Sequence, residues 1–404
     1  MKNFITQYMS QLNATNIQVV GLQKENEYRV QATLNGKNIF VDIAAHGSST
    51  GFAALIKNKA DIAMSSRPIK EQEVQALLHF GDMKNFDNEH VIAIDGLAVI
   101  VSPYNPISQL KVSQVAKIFS GEIKNWKELG GEDRKIQLYA RDENSGTWDT
   151  FRSLVLGKKH KLHNSAKRFE SNDELSTYVT LERGAIGFVG LASVGKTKRL
   201  ALYEQTTKPL APNELSVATE DYILSRRLFL YAPKSLMSAE MSHFLEYIHS
   251  REAQSIVRST GFISQEIISV ATDIDHEAPP EYVSLLKNAK RLSVNMRFDK
   301  GSAILDTKAL RDMDRLVKFM KRKENSNKEL ILVGFADPKE TERRAEVLSR
   351  HRAIAVKAAL MKNGISSEPV SGFGSYLPVA SDTLAGKIKN RRVEVWIKES
   401  HAMH

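Results

Sequence analysis

The chain has 404 residues, and its 57 Lys+Arg against 47 Asp+Glu give a formal net charge of +10 at pH 7. This length suffices for two or three domains with hydrophobic cores, and the absence of cysteine excludes disulfides, thiolate metal sites and a lipidated N-terminal cysteine. No run of about 18 apolar residues predicts a membrane-spanning helix. The opening residues lack the pattern of a secretory signal, so we expect no export signal in this sequence.

The excess positive charge lies in the C-terminal part of the chain. Residues 281–404 hold 25 Lys+Arg against 15 Asp+Glu, whereas the rest of the chain is balanced. A basic domain can indicate nucleic-acid binding. Here basic and acidic residues are mixed along 308–323 and 340–352, which is typical of solvated helix faces. We therefore expect no nucleic-acid partner.

The N-terminal region predicts a helix and then two polar turns, each of which follows a strand. An amphipathic pattern over Phe4–Leu12 indicates the helix, and 39–43 predicts a strand. The Gly/Ser/Thr loop His46–Phe52 comes next and leads into a helical run. A further polar turn, Ser65–Pro68, follows the apolar run 62–64. Strand, Gly/Ser/Thr turn and helix in this order can aim unpaired N–H groups at an anion.

The run Arg141–Trp148 (Arg-Asp-Glu-Asn-Ser-Gly-Thr-Trp) has the composition of an oxyanion clamp. A guanidinium offers a planar fork of donors that matches two oxygens of one anion. The Ser-Gly-Thr step four residues later adds hydroxyls and backbone N–H groups. The apolar spacing after it predicts a helix, so these groups would lie at a helix N-terminus, where anions are favoured.

Two motif matches offer enzymatic alternatives. Gly47–Gly51 fits the nucleophile elbow G-x-S-x-G, but the oxyanion-hole strand and loop that a serine hydrolase needs upstream are absent. Gly190–Thr197 fits the P-loop G-x-x-x-x-G-K-[ST], but the helix that should open at Lys196 is poorly predicted. We expect a surface connection there, and no enzyme.

Histidines provide the one possible metal motif. His243, Glu246 and His249 fall three apart on a predicted helix, but this spacing drifts around the helix axis and separates the two imidazoles. We expect structural roles for these residues, no metal and no cofactor.

The C-terminal part predicts a separate α+β domain. Residues 266–287 show little periodicity and contain Pro279 and Pro280, so they predict a linker. The patterns that follow predict, in order, a strand, a helix, a strand, a helix and a closing strand: 292–298, 310–320, 330–335, 347–361 and 393–397.

Residues 1–265 resemble the substrate-binding protein of phosphate ABC transporters, a type-2 periplasmic binding protein. The resemblance is carried by these segments in family order: 47–51, 61–66, 118–126, 141–147 and 184–189. It implies an α/β fold of two lobes joined by crossing strands near 91–101 and 222–231, with the ligand in the cleft. Lobe one would cover about 1–92 with 232–265, and lobe two about 102–221.

The same resemblance implies an anion site, with two departures from the family. The implied ligands are Ser48, Ser49, Ser66, Arg141, Ser145, Gly146 and Thr147. The family commonly has an Asp at the position of Ser66, where it accepts the proton of a protonated oxyanion, so we expect a relaxed preference here. The family also has a strand and a Gly/Ser/Thr loop before the first helix. Their absence predicts a truncated N-terminus and an incomplete site.

Residues 288–400 resemble the OmpA-like peptidoglycan-binding domain, a βαβαββ fold. The matching segments are 334–337, 348–353, 372–374 and 390–395. In that family an Asp and an Arg fifteen residues later bind the diaminopimelate of the peptidoglycan stem peptide, and Asp337 and Arg352 keep that spacing. A carboxylate suits the ligand ammonium and a guanidinium its carboxylate. Ala345 stands where the family often has Asn.

The two resemblances together predict a non-enzymatic receptor for phosphate or a similar oxyanion, anchored to peptidoglycan. They imply a periplasmic location at the cell wall or outer membrane, a role in phosphate transport, and an ABC transporter permease as a further partner. The alternative is a wall-anchored structural or interaction protein whose truncated cleft no longer binds phosphate.

Overall fold

The computed structural model describes residues 1–400 except 144, 206, 275–276, 299–301, 303, 338–340 and 382–387. The chain folds into two compact units. The first unit comprises Met1–Ile94 and Arg226–Glu266, and the second comprises Asp95–Ser225 and Ile267–His404. None of the helices in the described ranges is long and apolar enough to cross a membrane.

The described residues form helices and strands that alternate along most of the chain. The strands are β1 Thr15–Gly21, β2 Glu27–Leu34, β3 Lys37–Ala44, β4 Ala63–Ser65, β5 Glu89–Val101, β6 Gln109–Lys111, β7 Gln137–Arg141, β8 Lys167–Phe169, β9 Ala185–Gly190, β10 Lys198–Arg199, β11 Ala201–Tyr203, β12 Ser225–Tyr231, β13 Ser269–Val270, β14 Lys290–Arg297, β15 Lys328–Gly334, β16 Ser367–Gly372 and β17 Arg392–Glu399. The helices are α1 Lys2–Gln11, α2 Ser48–Ile56, α3 Glu71–Ala76, α4 Val112–Phe119, α5 Gly146–Phe151, α6 Asn172–Leu181, α7 Glu214–Ala218, α8 Ala239–Tyr247, α9 Arg251–Ser259, α10 Pro280–Leu285, α11 Thr307–Met320 and α12 Glu342–Met361.

The first unit begins with the predicted amphipathic helix, which packs on an antiparallel sheet of order β1-β2-β3. Ile5 and Met9, four residues apart on one face of α1, are buried with Val30, Ala32 and Ile43 of that sheet. Strand β3 then leads into α2, as its apolar pattern predicts. The segment after β3 is thereby fixed between a strand end and a helix start.

A second group of strands in the first unit holds the turn at residues 65–68. Strand β4 pairs antiparallel with β12, with Ser65 opposite Phe229. Helix α2 packs closely on β4, because a Cβ on Gly51 would lie 3.2 Å from the carbonyl oxygen of Met64. This close approach brings the start of α2 next to the turn that follows β4.

Within the second unit, residues 95–225 form the sheet β5-β9-β7-β8, with β10 on the other edge of β5. Strand β7 runs parallel to both β9 and β8, so its C-terminal end opens on the same edge as theirs. Phe151 stacks on Phe188 with 3.9 Å between the ring centroids, and Phe119 contacts both rings in an edge-on arrangement. The aromatic cluster anchors the segment after β7.

The C-terminal part of the second unit has the predicted βαβαββ order. Its sheet has the order β13-β14-β17-β15-β16, and the elements follow as β14, α11, β15, α12, β16 and β17. One face of the sheet packs on α11 and α12 through a continuous apolar core that includes Leu292, Leu316, Leu332, Val356 and Val395. The α/β fold class with a C-terminal OmpA-like α+β domain is confirmed.

The segment 266–287, predicted to be a linker, contains two short regular elements. Strand β13 pairs with β14, and α10 begins at Pro280, a residue suited to the first turn of a helix because it has no N–H to leave unpaired. Tyr282 and Leu286, four residues apart, are buried against the sheet. The two prolines favoured the prediction of a linker, and the short apolar face of α10 was therefore not recognised in the sequence.

Glycine permits the close packing of α12 on its sheet. A Cβ on Gly334 would lie 1.9 Å from the carbonyl oxygen of Ser349, and one on Gly372 would lie 2.5 Å from the backbone nitrogen of Arg350. Both contacts are with the backbone of α12, which cannot move away as a flexible side chain could. The position of α12 therefore depends on these two residues.

We predict that Gly334→Ala lowers the free energy of unfolding by about 3 kcal/mol, because the added methyl group displaces α12 from β15. The matched control is Gly190→Ala, where a Cβ meets nothing within 4 Å and φ is −60°. Urea-induced unfolding measures both variants. Equal stabilities for the two would show that α12 does not require the close approach.

Candidate functional site

Arg141 is the last residue of β7, and the clamp segment leaves the sheet directly after it. Arg141 lies opposite Phe169 in the parallel pairing of β7 with β8, and the N–H of Asp142 donates to the carbonyl of Phe169 over 3.0 Å. The backbone is therefore fixed on both sides of the arginine. Asn144, in the middle of this segment, lies outside the described residues.

The Arg141 guanidinium is buried and is oriented mainly by backbone carbonyls. Its Nε donates to the carbonyl of Phe169 over 3.2 Å, and Nη2 donates to the carbonyl of Glu170. Burial lowers the pKa of Arg141, and Asp142, whose carboxylate lies 3.5 Å from Nη2, opposes that shift. An arginine stays protonated under such conditions. Among the described residues none accepts from Nη1.

Ser145, Gly146 and Thr147 form the start of α5, as predicted. The Ser145 hydroxyl caps the helix and accepts from the N–H of Trp148 over 3.4 Å. Gly146 and Thr147 occupy the first turn of α5. The chain thus places a positive helix end and a buried cation within one short segment.

Arg168 supports this segment, although no sequence motif pointed to it. Its Nη1 donates to the carbonyl of Arg141 over 2.8 Å, and its Nη2 donates to Glu143 over 3.0 Å. Its guanidinium also lies 4.6 Å from the Trp148 ring centroid, at cation–π distance. One side chain from β8 therefore joins both ends of the turn between β7 and α5. Its position, more than twenty residues along the chain, becomes apparent only from the pairing of β7 with β8.

In the first unit the structure brings the predicted serines together. Ser48 is the first residue of α2, and its Oγ accepts from the N–H of Ser66 over 3.0 Å and lies 3.5 Å from the Ser66 hydroxyl. Ser49 Oγ accepts from Nη2 of Arg67 over 3.0 Å. Arg67 also makes a two-pronged ion pair with Glu73. Ser48 and Ser66 thus present two adjacent hydroxyls, and Glu73 neutralises the charge of the neighbouring Arg67.

The geometry opposes both enzymatic alternatives. After Gly190 the chain makes a short 3₁₀ turn at Leu191–Ser193 and enters β10, so no helix opens at Lys196 to complete a P-loop. Ser49, the nucleophile position of the elbow motif, is bonded by Arg67, whereas a hydrolase requires a basic histidine there.

Over the ranges that the structure describes, no three His, Cys, Asp or Glu side chains are grouped closely enough to hold a metal ion. His249 lies beside His90 instead, with 3.4 Å between Nε2 and Nδ1. The predicted structural role of this histidine agrees with that contact.

In the C-terminal domain Asp337 and Arg352 are both buried. Asp337 follows β15 closely, and its carboxylate accepts from Nη2 of Arg391 over 3.1 Å. Arg352 projects from α12, and its Nη1 donates to the carbonyl of Phe335 over 3.5 Å. Arg391 belongs to a segment that supported the OmpA resemblance, yet its contact with Asp337 was not foreseen. Residues 338–340, directly after Asp337, lie outside the described ranges.

In comparisons with known proteins, two family models match this chain. The family model described as PBP superfamily domain matches residues 13–252, and that of the OmpA family matches residues 297–392. The phosphate-binding protein PstS of Borreliella burgdorferi is 29% identical over 56% of this chain and 80% of its own length. PstS of Bacillus subtilis is 30% identical over 58% of this chain and 74% of its own. A solved ABC-type phosphate transport receptor from Vibrio cholerae is 30% identical, covers 55% of this chain and 86% of its own, and has a TM-score of 0.46.

Proposed function

Because the chain belongs to the PBP superfamily through residues 13–252 and carries an OmpA family domain over residues 297–392, we propose that it binds phosphate or a similar oxyanion and is anchored to peptidoglycan. The anion-binding part of this proposal rests on the buried Arg141, which lies beside the capped start of α5. Among the described residues none accepts a hydrogen bond from its Nη1. Relatives from two bacteria are named as phosphate-binding proteins and support the choice of ligand.

Binding of this kind involves no chemical step. Arg141 is already oriented by two carbonyls, so little side-chain entropy is lost when an anion arrives. Selectivity follows from desolvation, because a buried donor left without a partner penalises an anion that does not fit. Ser145 and Thr147 would add hydroxyl and N–H donors to the anion.

The Ser48–Ser66 pair would set how strictly a protonated anion is preferred. A carboxylate accepts only, so it selects an oxyanion that still carries a proton. A hydroxyl both donates and accepts, and the two serine hydroxyls already lie 3.5 Å apart. We therefore propose that Ser66 tolerates both protonated and fully ionised tetrahedral anions, sulfate included.

Isothermal titration with phosphate, and with sulfate as a second ligand, tests the receptor. We predict measurable heat for the native chain and a weakening of about 10- to 100-fold in Arg141→Ala, since each bond from a charged donor contributes about 1.5–3 kcal/mol. Arg152→Ala is the matched control, because Arg152 follows α5 directly but is exposed, with a partner in Asp149.

No heat from the native chain at millimolar phosphate would favour the alternative, a wall-anchored structural protein. Equal affinity in Arg141→Ala and in the native chain would remove Arg141 from the site.

For the wall-binding half of the proposal, Asp337 and Arg352 would bind the ammonium and carboxylate groups of diaminopimelate. Both side chains are buried, so a ligand would meet them in a partly desolvated place where charged pairs are strong. Asp337 already pairs with Arg391, and the ligand ammonium would have to share that carboxylate. This function places the protein in the periplasm, at the cell wall.

Sedimentation with purified peptidoglycan tests these roles. We predict that Asp337→Asn and Arg352→Ala each lose most retention, whereas Arg350→Ala, an exposed arginine on the same helix, keeps it. Circular dichroism establishes that each variant is folded. Retention unchanged in both folded variants would contradict the assignment.

A further inference from the structure

The second face of the C-terminal sheet is polar along β14 and the start of β17, beside the apolar cluster that packs on α10. Along β14 the residues Leu292, Val294 and Met296 point to the apolar core, so Arg291 and the alternate residues after it point to the other side. This polar face includes the buried side chains of Arg291, Ser293, Asn295, Arg297, Arg392 and Glu394. A buried polar face needs partners, because an uncompensated buried charge is costly.

Part of this face is covered by the loop between α7 and β12, which belongs to residues 95–225. The Nδ2 of Asn295 donates to Asp221 over 2.8 Å and to the carbonyl of Thr219 over 3.0 Å. Arg297 donates through Nη2 to the same carbonyl over 2.8 Å and through Nε to Glu220 over 3.3 Å. Two side chains of one strand thus bind three consecutive residues of the loop. We call residues 219–225, this loop together with the first residue of β12, the clamped loop.

Lys389 extends the contact along the clamped loop. Its ammonium group donates to the carbonyl of Tyr222 over 3.0 Å and lies 3.3 Å from the Ser225 hydroxyl. Burial lowers the pKa of Lys389 to about 8, because desolvation disfavours its charged form.

The charges at this interface are nearly balanced. Arg291 and Arg392 lower the pKa of Glu394 below its ordinary value, against the upward effect of burial. Asp221 lies 3.8 Å from Nε of Arg392 and 3.9 Å from Nη2 of Arg291. A paired buried network of this kind is strongly destabilised by loss of one partner, unlike an exposed ion pair.

We propose that the polar face and the clamped loop join residues 95–225 and the C-terminal domain into one rigid body. The clamped loop ends at Ser225, the last residue of its segment in the second unit, and the chain enters the first unit at Arg226. The body that binds the wall would then include residues 95–225. The statement about the wall rests on the proposed function, whereas the rigid body itself does not.

Distance measurement between two spin labels tests the rigid body in the full chain. The protein has no cysteine, so Lys117→Cys on α4 and Met361→Cys on α12, both exposed, can be labelled specifically. We predict one narrow distance distribution that phosphate does not shift. Asp221→Ala removes the partner shared by Asn295 and Arg297 and should broaden the distribution.

Glu277→Gln is the matched control. Glu277 pairs with Lys208 and so joins the same two parts of the chain, but the two side chains are 82% and 50% exposed. Such a pair contributes little, so the distribution should stay narrow. If Asp221→Ala fails to fold, Asn295→Ala removes two bonds to the clamped loop, one of them to Asp221, without changing the charge.

A broad distribution in the native sequence would overturn the proposal. So would a distribution as narrow in Asp221→Ala and Asn295→Ala as in the control. Since the first arm of the experiment contains no phosphate, failure of phosphate binding leaves the result on the rigid body intact.

Discussion

The proposed anion binding rests on the fixed and buried guanidinium of Arg141. The parallel pairing of β7 with β8 places the carbonyls of Phe169 and Glu170 where they accept from it. Burial weakens its hydration while leaving it charged, which makes an anion the natural partner. The cap at Ser145 and the contacts of Arg168 then hold the following turn against that cation.

Much of the fold was predictable because its signals are local. Strand ends followed by Gly/Ser/Thr turns located α2 and α5, and alternation of apolar residues located β14 and β17. The motifs that resemble the two families predicted which domain comes first along the chain. Helix α10, within the segment predicted to be a linker, was not foreseen, because the apolar face formed by Tyr282 and Leu286 is short and lies beside two prolines.

Partners that come from distant segments could not be predicted. Arg168 and Arg391 look like ordinary surface arginines in the sequence, and only strand pairing places them beside Arg141 and Asp337. The polar face of the C-terminal sheet is a similar case. Arg297 and Asn295 alternate with apolar residues as solvent-facing side chains would, yet both are buried against the clamped loop.

The most direct test of the central claim is a crystal structure of the full chain grown with phosphate. The account predicts a tetrahedral anion with an oxygen at roughly 2.7–2.9 Å from Nη1 of Arg141, the range for a charge-assisted bond, and with further oxygens on Ser145 or Thr147. An anion bound elsewhere, with Arg141 still bonded only to protein, would contradict it.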